Sequence, residues 1–138
     1  MKVNVENNTD AFKEEMARKV HVVLEAIGDH IEGEAQEELQ NDPRRIDTGN
    51  LRNSITHVVQ DDEDAVYIGT NIEYGVYVHE GTGIYAEGGG GRTTPWVYQD
   101  DKGNWHVTRG MKPNRFLKNA VERNETQIKG LIDEELRS

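Results

Sequence analysis

The stretch DAFKEEMARKVHVVLEAIGDHIEGEAQEELQ, Asp10 to Gln40, does most to decide the fold. Its apolar residues recur at steps of three and four, which places them on one face of an α-helix. They are Phe12, Met16, Val20, Val23, Leu24, Ile27, Ile31, Ala35 and Leu39. Capping residues precede the stretch, and Pro43 ends it. A helix of this length spans about 45 Å, so we expect part of its apolar stripe to contact a neighbouring subunit.

The residues that follow this helix predict an antiparallel sheet. Segments 54–60 and 65–71 flank the acidic turn 61–64 and predict a first hairpin. Ile72 to Gly83 alternate in the same way and predict a further strand. The segments PWVYQ and NWHVTRG flank the turn DDKG and predict a second hairpin. Residues 2–6, KVNVE, predict a short opening strand.

The C-terminal stretch KPNRFLKNAVERNETQIKGLIDEELRS predicts one further helix, with Pro113 near its first turn. Its apolar stripe comprises Phe116, Leu117, Ala120, Val121, Ile128, Leu131, Ile132 and Leu136. The predicted fold is therefore α+β, with a long N-terminal helix packed on an antiparallel sheet of about four strands and a C-terminal helix. We expect a single domain over residues 1–138, with a flexible glycine-rich loop at about 81–95.

The composition excludes several classes of function. Net charge is −10, from 26 acidic and 16 basic residues, which argues against a general binder of nucleic acid or of anionic membranes. There is no cysteine, so disulfides and thiolate metal sites are excluded. No run approaches the roughly 18 apolar residues of a membrane span, so we expect a cytoplasm-like compartment and no membrane partner. The apolar fraction of 34% is low, and favours a chain that oligomerises.

The tripeptide Asp47-Thr48-Gly49 is the one that carries the catalytic carboxylate of aspartic proteases. Those enzymes need two such carboxylates about 3 Å apart, so this chain would have to supply the second from a symmetric dimer. The lead-in here is charged, whereas in the dimeric proteases it is an apolar strand. A structural interpretation explains each residue: Asp47 or Thr48 caps a short helical turn, Gly49 allows close backbone approach, and Leu51 and Ile55 anchor the turn on the core.

Other motifs fail as chemical sites. HEGTG, His79 to Gly83, lacks the second histidine of an HExxH zinc site. GGGGR at 88–92 lacks the following Lys-Ser/Thr of a phosphate-binding loop, and the acidic turn 61–64 lacks the central glycine of a calcium loop. The five histidines show no pair at a ligand spacing. We therefore expect no catalytic residues, no cofactor and no metal ion.

Three ordered blocks of this sequence resemble a family of small neck proteins of long-tailed bacteriophages. The family is typified by the gene-ten product of phage HK-ninety-seven, and the resemblance covers about residues 9–125. The blocks are IDTGNLRNSI, VYIGTNIEYGVYVHEGTG and GMKPNRFLKNAV. The residues that match the family pattern are Asp47, Thr48, Gly49, Leu51, Ser54 and Ile55, then Ile68, Gly69, Thr70, Tyr74, Tyr77, Val78, His79, Gly81 and Thr82, and finally Pro113, Phe116, Leu117 and Ala120.

The resemblance implies a structural protein of the virion with no enzymatic activity. Such a protein is a subunit of the head–tail connector or neck, is assembled in the host cytoplasm, joins capsid to tail and lines the DNA passage. The implied partners are further copies in a six- or twelve-fold ring, neighbouring connector (stopper) and tail terminator proteins, and passing DNA bound without sequence specificity. The alternatives are a tail terminator or other minor morphogenesis protein and, more distantly, a homodimeric aspartic protease acting through Asp47.

The assembly interface is predicted in the loop 81–95 and on the exposed face of the hairpin 96–108. Neither segment has an evident reason to be present in a monomeric protein. The residues predicted to take part are Gly88, Arg92, Trp96, Trp105 and Arg109.

Overall fold

A computed structural model describes residues 9–42, 49–99 and 102–137. The helices are α1 (Thr9–Gln40), α2 (Gly49–Ser54), α3 (Tyr74–Glu80), α4 (Phe116–Arg123) and α5 (Glu125–Arg137). The strands are β1 (Thr56–Gln60), β2 (Ala65–Gly69), β3 (Trp96–Gln99) and β4 (Trp105–Thr108), and short 3₁₀ turns occur at Asp61–Glu63, Gly83–Tyr85 and Glu87–Gly89. The predicted α+β class and the long N-terminal helix are confirmed. The predicted strand at 2–6 lies outside the described residues.

The core forms where α1 crosses the first hairpin and the C-terminal helices. From Val23 to Leu39 the apolar stripe of α1 is buried at nearly every fourth residue, as a helix packed along one face requires. The hydrophobic core consists of Val23, Ile27, Ile31, Ala35, Leu39, Leu51, Ile55, Val78, Phe116 and Ala120.

The first ten residues of α1 carry the same stripe but bury none of it. Every residue from Thr9 to Arg18 is exposed, and the exposed fractions of Phe12 and Met16 are 62% and 38%. We call residues 9–18 the helix overhang. A stripe that is buried further along the same helix and exposed here is an apolar face that no described residue covers.

The four strands of the two predicted hairpins are present, but they form two separate antiparallel sheets. In the first hairpin Thr56 pairs with Gly69 and Gln60 with Ala65, and this hairpin packs on α1. The second hairpin, β3 with β4, shares no strand pairing with the first. The residues after β2 form a helix, and no strand among the described residues connects the two sheets.

The predicted strand from Ile72 to Gly83 is wrong, because Tyr74–Glu80 form α3. Alternating aromatic and β-branched residues favour a strand locally. The residues that this segment buries are instead Gly75 and Val78, three apart, which suits a helix. A Cβ atom on Gly75 would lie 2.9 Å from Leu51 Cδ1, so this turn of α3 packs directly against α2.

The predicted single C-terminal helix is interrupted at Asn124, between α4 and α5. The Asn124 side chain is buried and fully bonded: Nδ2 donates to the Ala120 carbonyl at 2.7 Å, and Oδ1 accepts from His30 Nε2 at 2.9 Å. A buried amide is stable only when its donors and acceptors are satisfied. These bonds tie the junction to α1. The helix itself begins at Phe116, three residues after Pro113.

Candidate assembly surface

The first two sequence blocks meet through a chain of hydroxyl groups. Ser54 Oγ donates to the Leu51 carbonyl at 2.6 Å, Thr70 Oγ1 lies 2.5 Å from Ser54 Oγ, and the Ile72 amide donates to Thr70 Oγ1 at 3.0 Å. Leu51 and Ile55 are buried in the core, as predicted. These contacts position the turn after β2 against α2.

The predicted cap residues Asp47 and Thr48 lie outside the described residues. Gly49 is the first residue of α2 and is exposed. The short helical turn that these residues were predicted to begin is present as α2.

Gly81 and Thr82 join α3 to the end of the second hairpin. The Thr82 amide donates to the Met111 carbonyl at 2.9 Å, and the Met111 amide donates to Thr82 Oγ1 at 2.9 Å. Gly81 ends α3 with φ 81°, and Gly83 has φ 63°, a conformation that favours glycine. We call residues 81–84 and 109–111 the glycine–threonine joint. It ties the chain that follows β4 to the end of α3.

The third block supports the start of α4. The Phe116 ring is buried and meets the His79 ring edge-on, with centroids 5.3 Å apart. His79 Nε2 also accepts from the Lys118 amide at 3.4 Å, so this histidine of the HEGTG segment bonds one of the free amides in the first turn of α4.

The other residues of these blocks have structural positions. Pro113 lies beside Gly81, and Leu117 packs against the core. Tyr74, a residue of the second block, begins α3 and is exposed.

The glycine-rich segment from 81 to 95 folds back on itself. A Cβ on Gly91 would lie 2.0 Å from the Gly83 carbonyl oxygen, so these two backbones are in direct contact. Glu87 accepts from Arg115 Nε at 3.2 Å, and this bond lowers the pKa of Glu87. Gly88, predicted at the interface, has φ 83° and stands in open space.

The two tryptophans of the second hairpin lie on opposite faces. Residues that pair across antiparallel strands share a face and alternate along each strand. Trp96 pairs with Thr108, whereas Trp105 pairs with Gln99. The predicted set Arg92, Trp96 and Trp105 therefore does not form one surface: the Arg92 guanidinium lies 5.6 Å from the Trp96 ring centroid, on the other side from Trp105.

The face that carries Trp105 is apolar and bare. Val97 and Val107 pair directly beside it, and the exposed fractions of Val97, Trp105 and Val107 are 60%, 69% and 74%. We call these three residues the hairpin face. Sequence reasoning singled out Trp105 but missed the two valines as interface residues, although their period-two spacing along each strand was the available signal. Arg109, also predicted, is exposed, and its carbonyl accepts from the Ile84 amide in the joint.

A polar cluster that the sequence did not predict lies where α1 crosses β1. His57 Nδ1 is 2.5 Å from Glu32 Oε2, and His57 Nε2 is 2.9 Å from Glu25 Oε2. The hydrogen bond to Glu32, and to a smaller extent the one to Glu25, raises the pKa of His57. Because both partners are carboxylates on α1, the imidazole ties the first hairpin to the long helix. The sequence shows five scattered histidines and did not predict this cluster. Residues 25, 32 and 57 approach one another only in the folded chain.

None of the helices among the described residues is both long and apolar enough to cross a lipid bilayer.

Comparison with known proteins identifies the family. A family model described as "Bacteriophage HK97-gp10, putative tail-component" matches residues 4–81. These residues include α1, the first hairpin, α3, the whole first sequence block and the second block as far as Gly81, and the match confirms the resemblance seen there. No curated protein and no solved structure matches the chain. Since the match spans more than half of the 138 residues, the chain belongs to the bacteriophage HK97-gp10-like family of tail components.

Proposed function

We propose that this protein is a non-enzymatic subunit of the head–tail connector, or neck, of a long-tailed bacteriophage. In this role it assembles with further copies into a six- or twelve-fold ring that completes the tail and surrounds the DNA passage. The observation that carries the proposal is the pair of bare apolar surfaces, the hairpin face and the helix overhang, on a chain of a phage tail family. Monomeric proteins seldom expose such surfaces without a partner for them.

A ring requires two different surfaces on each subunit, because a head-to-tail contact joins unlike patches. The helix overhang, ten residues at 1.5 Å each, is about 15 Å long. The four-residue strands of the second hairpin are about 13 Å long. Matching lengths and shared apolar character support a contact in which the hairpin face of one subunit lies on the helix overhang of the next. Such a contact would also stabilise the second hairpin, because a two-stranded hairpin alone is only marginally stable in water.

The net charge of −10 suits a protein around a DNA passage. Acidic groups repel the phosphate backbone, so DNA moves past without being retained or read by sequence. The neighbours in the virion would be connector (stopper) and tail terminator proteins at the head–tail junction. A tail terminator, or another minor morphogenesis protein, is the second candidate within the same family.

Replacing Trp105 with serine tests the assembly contact. We expect association to weaken at least about thirtyfold, because a buried interface tryptophan is typically worth 2 kcal/mol or more. The free energy of unfolding of the monomer should stay nearly unchanged, since the side chain is exposed. Light scattering at several concentrations, alone and with the neighbouring neck proteins, measures the assembly, and complementation of a phage lacking the gene measures the function.

Trp96→Ser is the matched control, because the same chemical change is made on the opposite face of the same hairpin. It should retain assembly. Rings of normal mass from Trp105→Ser would show that the hairpin face is not the contact.

Replacing Asp47 with asparagine separates the structural role from the aspartic protease alternative. Asparagine caps a helix about as well as aspartate, so the free energy of unfolding should change by less than about 1 kcal/mol, and assembly should persist. A protease built on two Asp47 carboxylates would lose all activity. The measurement is complementation together with a gel of the head proteins: assembled but unprocessed heads would favour the protease.

A further inference from the structure

The crossing of α1 and β1 brings three side chains with metal-binding atoms close together. Asp29 and Glu32 are three apart on one face of α1, and His57 faces them from β1. One ligand atom from each lies within 4.8 Å of the other two. We propose that Asp29, Glu32 and His57 form a binding site for a divalent transition-metal ion. None of them belongs to the hairpin face or the helix overhang, so the site is independent of ring assembly.

The imidazole of His57 lies close against α1 because Gly28 has no side chain at this point. A Cβ atom at position 28 would lie 2.4 Å from His57 Cδ2 and 2.9 Å from Val66 Cγ2. Any other residue would therefore push the ring off the helix. Only 15% of the His57 side chain is exposed, so the ligand is positioned by packing before any ion arrives, which is what a preorganised site requires.

Glu25 bonds the second ring nitrogen of His57, as carboxylates do for histidine ligands in metal centres. A metal-ligating histidine almost always donates its second ring N–H to a carboxylate or carbonyl, which fixes the tautomer and directs the other nitrogen at the metal. Here Nε2 donates to Glu25 at 2.9 Å, and Nδ1 is directed at Glu32 at 2.5 Å. A bound metal ion would take the Nδ1 lone pair, so any proton on that nitrogen would pass to solvent.

Asp29 differs from its neighbours on α1. Glu25 and Glu32 are both bonded to His57, whereas no hydrogen bond or ion pair joins the Asp29 side chain to another residue in the described ranges. Its carboxylate is free to bind an ion and does not hold the fold together. One imidazole and two carboxylates suit Zn²⁺, Co²⁺ or Ni²⁺, because Mg²⁺ and Ca²⁺ prefer oxygen ligands alone.

The difference between Asp29 and the other ligands provides a sharp test. The full-length protein is treated with EDTA, freed of the chelator, and titrated calorimetrically with Zn²⁺ and, in parallel, with Mg²⁺. We expect one Zn²⁺ per chain and no comparable binding of Mg²⁺. Asp29→Asn should weaken Zn²⁺ binding at least about tenfold and leave the melting temperature of the metal-free protein unchanged.

His21→Gln is the matched control, because His21, also on α1, belongs to a second histidine–carboxylate pair, with Nδ1 2.7 Å from Asp61 Oδ1. It should bind Zn²⁺ as the unaltered chain does. The proposal is overturned by an absence of Zn²⁺ binding, by equal binding in Asp29→Asn, or by an equal loss in His21→Gln. Since Asp29→Asn keeps both bonds of His57, it remains informative even if His57 variants fail to fold.

Discussion

Replacing Phe116 with alanine is expected to lower the free energy of unfolding by about 3–5 kcal/mol. The ring is 1% exposed and packs edge-on against His79. Its removal loses the free energy gained by burying the apolar ring, loses the aromatic contact and leaves a cavity in the core. Phe116 is also the first residue of α4, where the third sequence block meets the core. Because domains are stable by only about 5–15 kcal/mol, this variant should be close to unfolding at room temperature. Urea unfolding followed by circular dichroism measures the change.

Val121→Ala, in the same helix, is the control for this substitution. Its side chain is exposed, so the free energy of unfolding should change by less than about 0.5 kcal/mol. Similar losses from the two variants would mean that α4 does not bury Phe116 in solution.

Replacing Gly83 with alanine is expected to cost about 3 kcal/mol or more. The new Cβ would lie 2.0 Å from the Arg109 carbonyl oxygen, which is backbone and cannot rotate away. The glycine–threonine joint would have to open, and both hydrogen bonds between Thr82 and Met111 would be lost. Thermal unfolding measures the stability, and amide hydrogen exchange at Thr82 and Met111 reports whether the joint has opened.

Gly88→Ala separates the effect of crowding from that of backbone conformation. Gly83 and Gly88 both have positive φ, at 63° and 83°, but a Cβ at position 88 meets nothing within 4 Å. This variant should therefore cost only about 1 kcal/mol, the strain of a left-handed residue. Equal costs at the two positions would contradict the close contact in the joint.

The candidate assembly surface was only partly predictable. Trp105 was predicted because the hairpin 96–108 has no evident reason to be present in a monomeric protein. Its separation from Trp96 depends on strand register, and a shift of one residue would exchange the faces. The predicted cap at Asp47 and Thr48 lies outside the described residues, so that prediction stays open, while Leu51 and Ile55 lie in the core as expected.

The sequence by itself determined the elements whose signal is local. The long helix α1 follows from its three- and four-residue apolar spacing, and both hairpins follow from short alternating runs around polar turns. The family was also readable, because its blocks are contiguous motifs.

The tertiary structure decided what depends on residues far apart in the chain. The segment 74–80 has the alternation of a strand, yet it is a helix because Gly75 and Val78 pack on the core. The predicted C-terminal helix is interrupted at Asn124, where the buried side-chain amide bonds to His30 on α1. His57 meets Glu25 and Glu32 only where β1 crosses α1. Local propensities are worth tenths of a kcal/mol per residue, whereas buried contacts are worth several, so packing prevails wherever the two disagree.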